Sequence, residues 1–265
     1  MSTPSEAAPP RAGVSSIFLL LMAAFAIAWA ALAAGDAGGV GVFAFVLIGW
    51  IISLCLHEWG HAFIAWRGGD DSVVSRGYLT LNPLLYTNPT MSILLPLLFL
   101  ALGGIGFPGG AVYVHPERLR GPLWRAAMSA AGPGMNLACL VAIGLMLGAT
   151  DSGGSAPTPL AAALSLLGFL QATALLLNLL PVPGLDGFGI LQAILPASVR
   201  AALAPVSGVI VMAFLAVMIL APQFLAPLWD AALGLCQYLG IKPGPVAEGF
   251  GLFRFWAPQA VPLAS

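Results

Sequence analysis

The residues His57-Glu58-Trp59-Gly60-His61 place two imidazoles four positions apart, with a carboxylate beside the first. On a helix, positions i and i+4 share one face, so His57 and His61 can hold a single metal ion. Glu58 is turned about 100° away from His57, close to a water on that metal yet outside the ligand set. Zinc lowers the pKa of a bound water to about 7. Glu58 is therefore expected to be the catalytic residue, a general base that takes the water's proton and later delivers it to a leaving amine. A catalytic zinc generally has three protein ligands, so one is missing from this pair. Two residues compete for the place. His115 lies in a polar loop with Pro116, Glu117 and Arg118, where a histidine is ordinarily a surface residue. Asp186 follows Asn178-Leu179-Leu180-Pro181-Val182-Pro183-Gly184-Leu185, where two prolines break a helix and the glycines permit close backbone approach. The bland alternative for Asp186 is a cap on the helix that starts there.

These residues must be positioned in an unusual solvent. The chain has 265 residues, of which 60% are hydrophobic and 7% charged. Soluble domains carry roughly 25% charged residues, so most of this surface must face lipid. A net charge of -1 gives no reason to expect a nucleic-acid partner. The three cysteines, Cys55, Cys139 and Cys236, lie in apolar runs without a CxxC and imply packing rather than disulfides. Apolar runs of spanning length cover Val14–Ala34, Val40–Trp66, Leu123–Ala149, Pro159–Leu180 and Pro205–Leu220, with a shorter sixth at Phe224–Leu239 that contains Asp230. The first run is longer than the 7–15 residues of a signal-peptide core and is expected to be retained. Residues 1–13 read as a disordered start, 14–240 as the transmembrane domain, and 241–265 as a cytoplasmic or membrane-surface tail.

The stretch Met91–Ile105 contains Pro96 and runs into Gly103, Gly104, Gly106, Pro108, Gly109 and Gly110. If it enters and leaves on one side, the chain crosses about six times with both ends in the cytoplasm. All nine basic residues then fall on the cytoplasmic side, as the positive-inside rule requires. If it crosses, that asymmetry vanishes. The expectation is an all-α polytopic membrane protein with a re-entrant hairpin between its second and third crossings, followed by a short extended segment, Ala111–Val114. Irregular backbone at membrane depth is tolerated only against protein or a watery cavity. Arg67 follows His61 by about 9 Å of helix rise, so the motif sits inside the membrane near its cytoplasmic side. Asp186 falls at the same level. Ionisable groups there are costly and usually functional.

His-Glu-Trp-Gly-His together with Asn178-Leu-Leu-Pro-Val-Pro-Gly-Leu-Asp186-Gly resembles the motifs of the site-2 protease family of intramembrane metalloproteases, H-E-x-x-H and N-x-x-P-x-P-x-x-D-G. Gly132-Pro133-Gly134-Met135-Asn136 is similar to the family's G-P-x-x-N. The three occur in the family's order and the resemblance spans about Gly41–Leu195. It implies one zinc ion per chain held by His57, His61 and Asp186, with Glu58 as base and with Asn136 and Asn178 as substrate-contacting residues. The bland reading of each asparagine is a buried amide bonding between helices. The resemblance also implies pairing of an unwound substrate with the hairpin as an added strand. It further implies transmembrane substrates such as anti-sigma factors or signal-peptide remnants, and a place in the cell membrane. The chain has no room for the PDZ or nucleotide-sensing domain of many relatives and resembles the compact members. Two other classes compete with the protease. A non-proteolytic zinc-binding scaffold has no use for Glu58. A metal or solute transporter would use discontinuous helices, but the chain shows no internal repeat.

Overall fold

The computed structural model describes residues 13–86, 113–150 and 157–257. Among these there is helix and turn but no strand. The long apolar runs become helices because a chain in lipid must satisfy every backbone N–H and C=O internally. Helix α1 spans Ser16–Ala34, α2 Gly39–Gly68, α3 Pro122–Thr150 and α4 Pro159–Asn178. They are followed by α5 (Asp186–Ile194), α6 (Ala197–Leu203), α7 (Ser207–Leu220), α8 (Ala226–Tyr238) and α9 (Pro243–Phe253). Five stretches are long and apolar enough to cross a bilayer: α1, α2, α3, α4 and the continuous segment Ala197–Leu220.

Helix α4 is the centre of the bundle. It carries no charged residue and few polar ones, and 83% of its spanning window is buried inside the protein, as expected of a helix without a continuous polar face. Helices α2, α3, α8 and α9 surround it. Leu164, Leu166 and Leu170 of α4 share one core with Val42, Phe45 and Val46 of α2 and Leu140 of α3. On the outside, α1 leans on α2 through a Phe25–Phe45 ring stack at 4.4 Å. The window of Ala197–Leu220 is only 6% buried, so its apolar surface faces lipid.

The C-terminal region departs from the sequence reading. A surface tail is expected from residue 241, yet α9 packs against α4. A side chain at Gly249 would strike the Ala162 carbonyl, and Phe253 is fully buried. The reason is composition: Val246, Phe250 and Phe253 give α9 an apolar stripe at helical spacing. The expected crossing over Phe224–Leu239 is represented by α8, whose axis turns by 116° into α9. At 13 residues α8 rises about 20 Å, less than the roughly 30 Å hydrocarbon layer.

The expected hairpin over Met91–Ile105 lies outside the described residues. So does all of the expected disordered start except Gly13. Of the extended segment Ala111–Val114, Tyr113 and Val114 are described and form no strand.

Candidate metal centre

The centre is built where α2, α3 and α5 meet. His57, Glu58 and His61 sit in the C-terminal half of α2, all buried. Gly60 lets α3 approach closely. A β-carbon there would lie 2.9 Å from the Ala131 carbonyl oxygen and from Met135 Cγ. The approach brings one stripe of α3, Met128, Gly132 and Asn136 at i, i+4 and i+8, onto the two imidazoles. His61 Nδ1 contacts the Met128 carbonyl at 2.7 Å, and His57 Nδ1 contacts Asn136 Oδ1 at 2.6 Å. Any side chain on Gly132 would run into His61 Nε2 and lie 2.6 Å from His57 Nε2.

Asp186 arrives from the other side. Pro181 and Pro183 prevent α4 from continuing, and Gly184 takes a left-handed φ of 89°. Gly187 then folds so tightly against the end of α4 that a β-carbon would strike the Leu179 carbonyl. Asp186 is the first residue of α5, after the cap position Leu185. Its Oδ1 is 3.2 Å from His61 Nε2 and its Oδ2 is 3.3 Å from His57 Nε2. The two Nε2 atoms are 3.1 Å apart. The ligand atoms of the three residues all lie within 4.8 Å of one another.

The protons on these rings follow from their partners. A carbonyl only accepts, so His61 Nδ1 donates to Met128 and its Nε2 carries a lone pair when the ring is neutral. Asn136 presents its oxygen to His57 Nδ1, with the same consequence for His57. Two lone pairs and a carboxylate therefore converge on one small space kept open by Gly132. Three acceptors facing each other in a buried site repel unless a cation lies between them. Two imidazoles and a carboxylate are ligands that zinc takes in catalytic sites, so the donor set fits that ion.

A cavity of about 290 Å³ opens beside the three groups. Glu58, Trp50, Ser129, Asn136, Asn178 and Gly184 line it, with Val114 and Pro116 as a further wall. Of the two asparagines expected to contact substrate, Asn136 uses its oxygen on His57 and its nitrogen on Gln171, the latter at 2.9 Å. Asn178 is buried at the end of α4 and is one of the residues lining the cavity. His115 is not among the converging ligands. It belongs to a clamp that the sequence did not reveal. The fully buried carboxylate of Asp70 accepts from His115 N at 2.8 Å, Ser72 Oγ at 2.6 Å and Ser72 N at 3.1 Å. Arg118 lies 3.6 Å from it. Burial pushes the Asp70 pKa up, but the bonds from Ser72 and His115 outweigh it and hold the group below its ordinary value. Arg76 donates to the Tyr113 carbonyl at 3.0 Å and stacks over the Tyr113 ring at 4.7 Å. The chain that carries Val114 and Pro116 is thereby fastened to the end of α2. Ser53 and Gln171 also went unassigned in the sequence, although a polar residue inside an apolar spanning run was the available signal.

The chain is similar over most of its length to known proteins. It is 44% identical over 251 residues to "Putative zinc metalloprotease Rip2" of Mycolicibacterium smegmatis, covering 92% of this chain and 94% of that one. Its likeness to the protein of the same name from Mycobacterium tuberculosis is 46% over 218 residues, 82% of each chain. Its identity to "Putative zinc metalloprotease YwhC" of Bacillus subtilis is 33% over 167 residues, 59% of this chain and 72% of the relative. No protein-family profile and no solved structure matches it. With a His-His-Asp cluster inside a bundle of membrane-length helices, and relatives of this kind along nearly its whole length, the chain belongs to the site-2 protease family of zinc metalloproteases.

Proposed function

We propose that His57, His61 and Asp186 hold one zinc ion and that Glu58 is the general base of an intramembrane endopeptidase. Its substrates are peptide bonds within or next to transmembrane segments. The observation that carries this reading is the convergence of three acceptors, from two separate segments of the chain, on one space beside a buried glutamate. Zinc held there supplies a Lewis acid that polarises the scissile carbonyl and acidifies water.

The chain's own residues do the rest. Glu58 accepts a proton from the attacking water on its carboxylate and gives it to the leaving nitrogen. His57 and His61 keep their Nδ1 protons on Asn136 and Met128, which holds both rings in place. Asn178, facing the cavity, offers its amide to a substrate backbone that has lost its helical hydrogen bonds. Asn136, engaged with His57, contributes mainly through that ring. The wall at Val114 and Pro116 is where an extended substrate lies, and an unwound substrate there can pair edge to edge as an added strand. A helical substrate hides its carbonyls, so it must unwind in this cavity before cleavage.

The positive-inside distribution supports a place in the cell membrane with the N-terminus and the metal-centre end of the bundle in the cytoplasm. The described C-terminal residues depart from the expected cytoplasmic tail: Phe255 meets Gly39, and Phe253 and Trp256 meet Phe43, at the opposite end of α2. Single-span regulators such as anti-sigma factors, and signal-peptide remnants, are the substrate classes that suit such a site. The test pairs zinc analysis of purified protein with membrane proteomics of cells carrying wild type or Glu58→Gln. Wild type is expected to contain one zinc per chain and to yield membrane-span fragments absent from the variant. Fragments that persist with Glu58→Gln would exclude this mechanism.

A further inference from the structure

A row of buried polar side chains runs from the metal centre through the middle of the bundle, across largely apolar helices. Ser53 Oγ lies 2.8 Å from the Trp50 carbonyl, Gln171 Nε2 lies 2.8 Å from Ser53 Oγ, and Asn136 Nδ2 lies 2.9 Å from Gln171 Oε1. Asn136 Oδ1 then meets His57 Nδ1 at 2.6 Å. Gln171 is fully buried, and Ser53 and Asn136 are each 4% exposed.

The direction of the row is fixed at its far end. A backbone carbonyl cannot donate, so the single hydroxyl proton of Ser53 goes to Trp50. The Ser53 oxygen must then accept, which turns the NH₂ of Gln171 towards it. The Gln171 oxygen therefore faces Asn136 and takes its NH₂. This leaves only the oxygen of Asn136 for His57, so Nδ1 of that ring must carry the hydrogen. Nε2 then offers its lone pair to the space shared with His61 and Asp186. The geometry points to Gln171 and Ser53 as positioning residues that set the tautomer of His57 and thereby the affinity for zinc. Without them the Asn136 amide is free to turn over and present NH₂ to Nδ1. His57 would then protonate Nε2 and lose its ligand lone pair. The inference rests on the reading of His57 as a zinc ligand.

The test measures the zinc dissociation constant of the full chain in detergent by competition with a chromophoric chelator, together with the melting temperature of the metal-free protein. Gln171→Met keeps the volume and removes both bonds; outer partners of metal-bound histidines typically contribute ~10–100-fold in affinity, and a loss of that size is expected. In Gln171→Glu a side-chain oxygen still accepts from Asn136, so Asn136 keeps its orientation and zinc affinity stays within about threefold of wild type. Should Gln171→Met fail to fold, Ser53→Ala removes the anchoring hydroxyl alone and is expected to weaken zinc several-fold. Wild-type affinity in Gln171→Met, or in its replacement Ser53→Ala, would overturn the proposal. Equal weakening in Gln171→Met and Gln171→Glu, with matching falls in melting temperature, would also overturn it and indicate packing alone. If wild type and His57→Ala both fail to bind zinc, the ligand assignment itself falls, and this inference with it.

Discussion

At the scale of single residues, holding the metal and moving the proton are separable tasks. Glu58 lines the cavity but is not one of the three converging groups. Glu58→Gln is therefore expected to keep zinc within about twofold of wild type. Its cleavage rate should fall by ~10²–10⁴-fold, the usual contribution of a general base. Inductively coupled plasma measurements on the purified protein, beside a cleavage assay, separate the two. Gly132 offers a sharper case because it donates nothing. Its missing side chain is what leaves room between the Nε2 atoms of His57 and His61. Gly132→Ala should abolish zinc binding although every ligand remains, while Gly134→Ala, whose β-carbon would meet nothing within 4 Å, should bind normally. Retained zinc in Gly132→Ala would show that the ion sits elsewhere.

At the scale of elements, three junctions hold the centre together. Helix α3 meets α2 at Gly60, α5 meets α3 where a side chain at Gly189 would strike Ser129, and the segment after residue 112 meets the end of α2 through Asp70. The Asp70 clamp has a pH signature. Its pKa is held below the unfolded value of roughly 3.9. The stability it contributes is therefore complete above that value and is lost as pH falls through the lower, folded pKa. Thermal melts of wild type should show this acid loss below about pH 4. Asp70→Asn, which does not titrate, should be less stable near neutrality and show a smaller acid-dependent decline. Equal slopes in the two proteins would mean that the clamp does not form. Packing at the C-terminus predicts that Gly249→Val, which drives a side chain into the Ala162 carbonyl and Leu166, destabilises by about 1–3 kcal/mol or more, read as a lower melting temperature.

At the scale of the whole molecule, a metal held by His57, His61 and Asp186 would tie α2 to the start of α5. A ligand bound by the folded state alone adds about 2.7 kcal/mol at 100 times its dissociation constant. Chelation should therefore lower the melting temperature of wild type and leave Asp186→Asn unchanged, since that variant has little zinc to lose. The charge distribution makes a second prediction. A cysteine placed at the exposed Arg120, beside the metal-centre end of α2, should react with an impermeant maleimide only from the cytoplasmic side, and one at Asp36 only from the opposite side, in a background lacking Cys55, Cys139 and Cys236. Labelling of both from the same side would overturn the arrangement of crossings.

The extent of each long helix, the metal-binding pair and the family motifs are all readable in the sequence because they are local. Apolar runs of membrane length must become helices, and i, i+4 spacing alone puts His57 and His61 on one face. The Pro-Val-Pro-Gly break before Asp186 is local as well, which is why that residue stood out as a ligand candidate. What the sequence could not decide depends on which helix faces which. The same three letters, Asn, serve at position 136 to hold a histidine and at 178 to face the cavity, and only the packing of α3 and α4 distinguishes them. Ser53 and Gln171 are 118 positions apart and meet only because α4 runs through the centre of the bundle. Asp70 and His115 are likewise separated by 45 residues, with nothing in their spacing to announce the bond. The C-terminal segment reads as a surface tail because it mixes Pro, Gly and aromatic residues; its burial depends on the close contact of Gly249 with Ala162 and Leu166 of α4. Hydrogen-bond partners and buried faces are set by tertiary contact, whereas helix length and motif geometry are set along the chain.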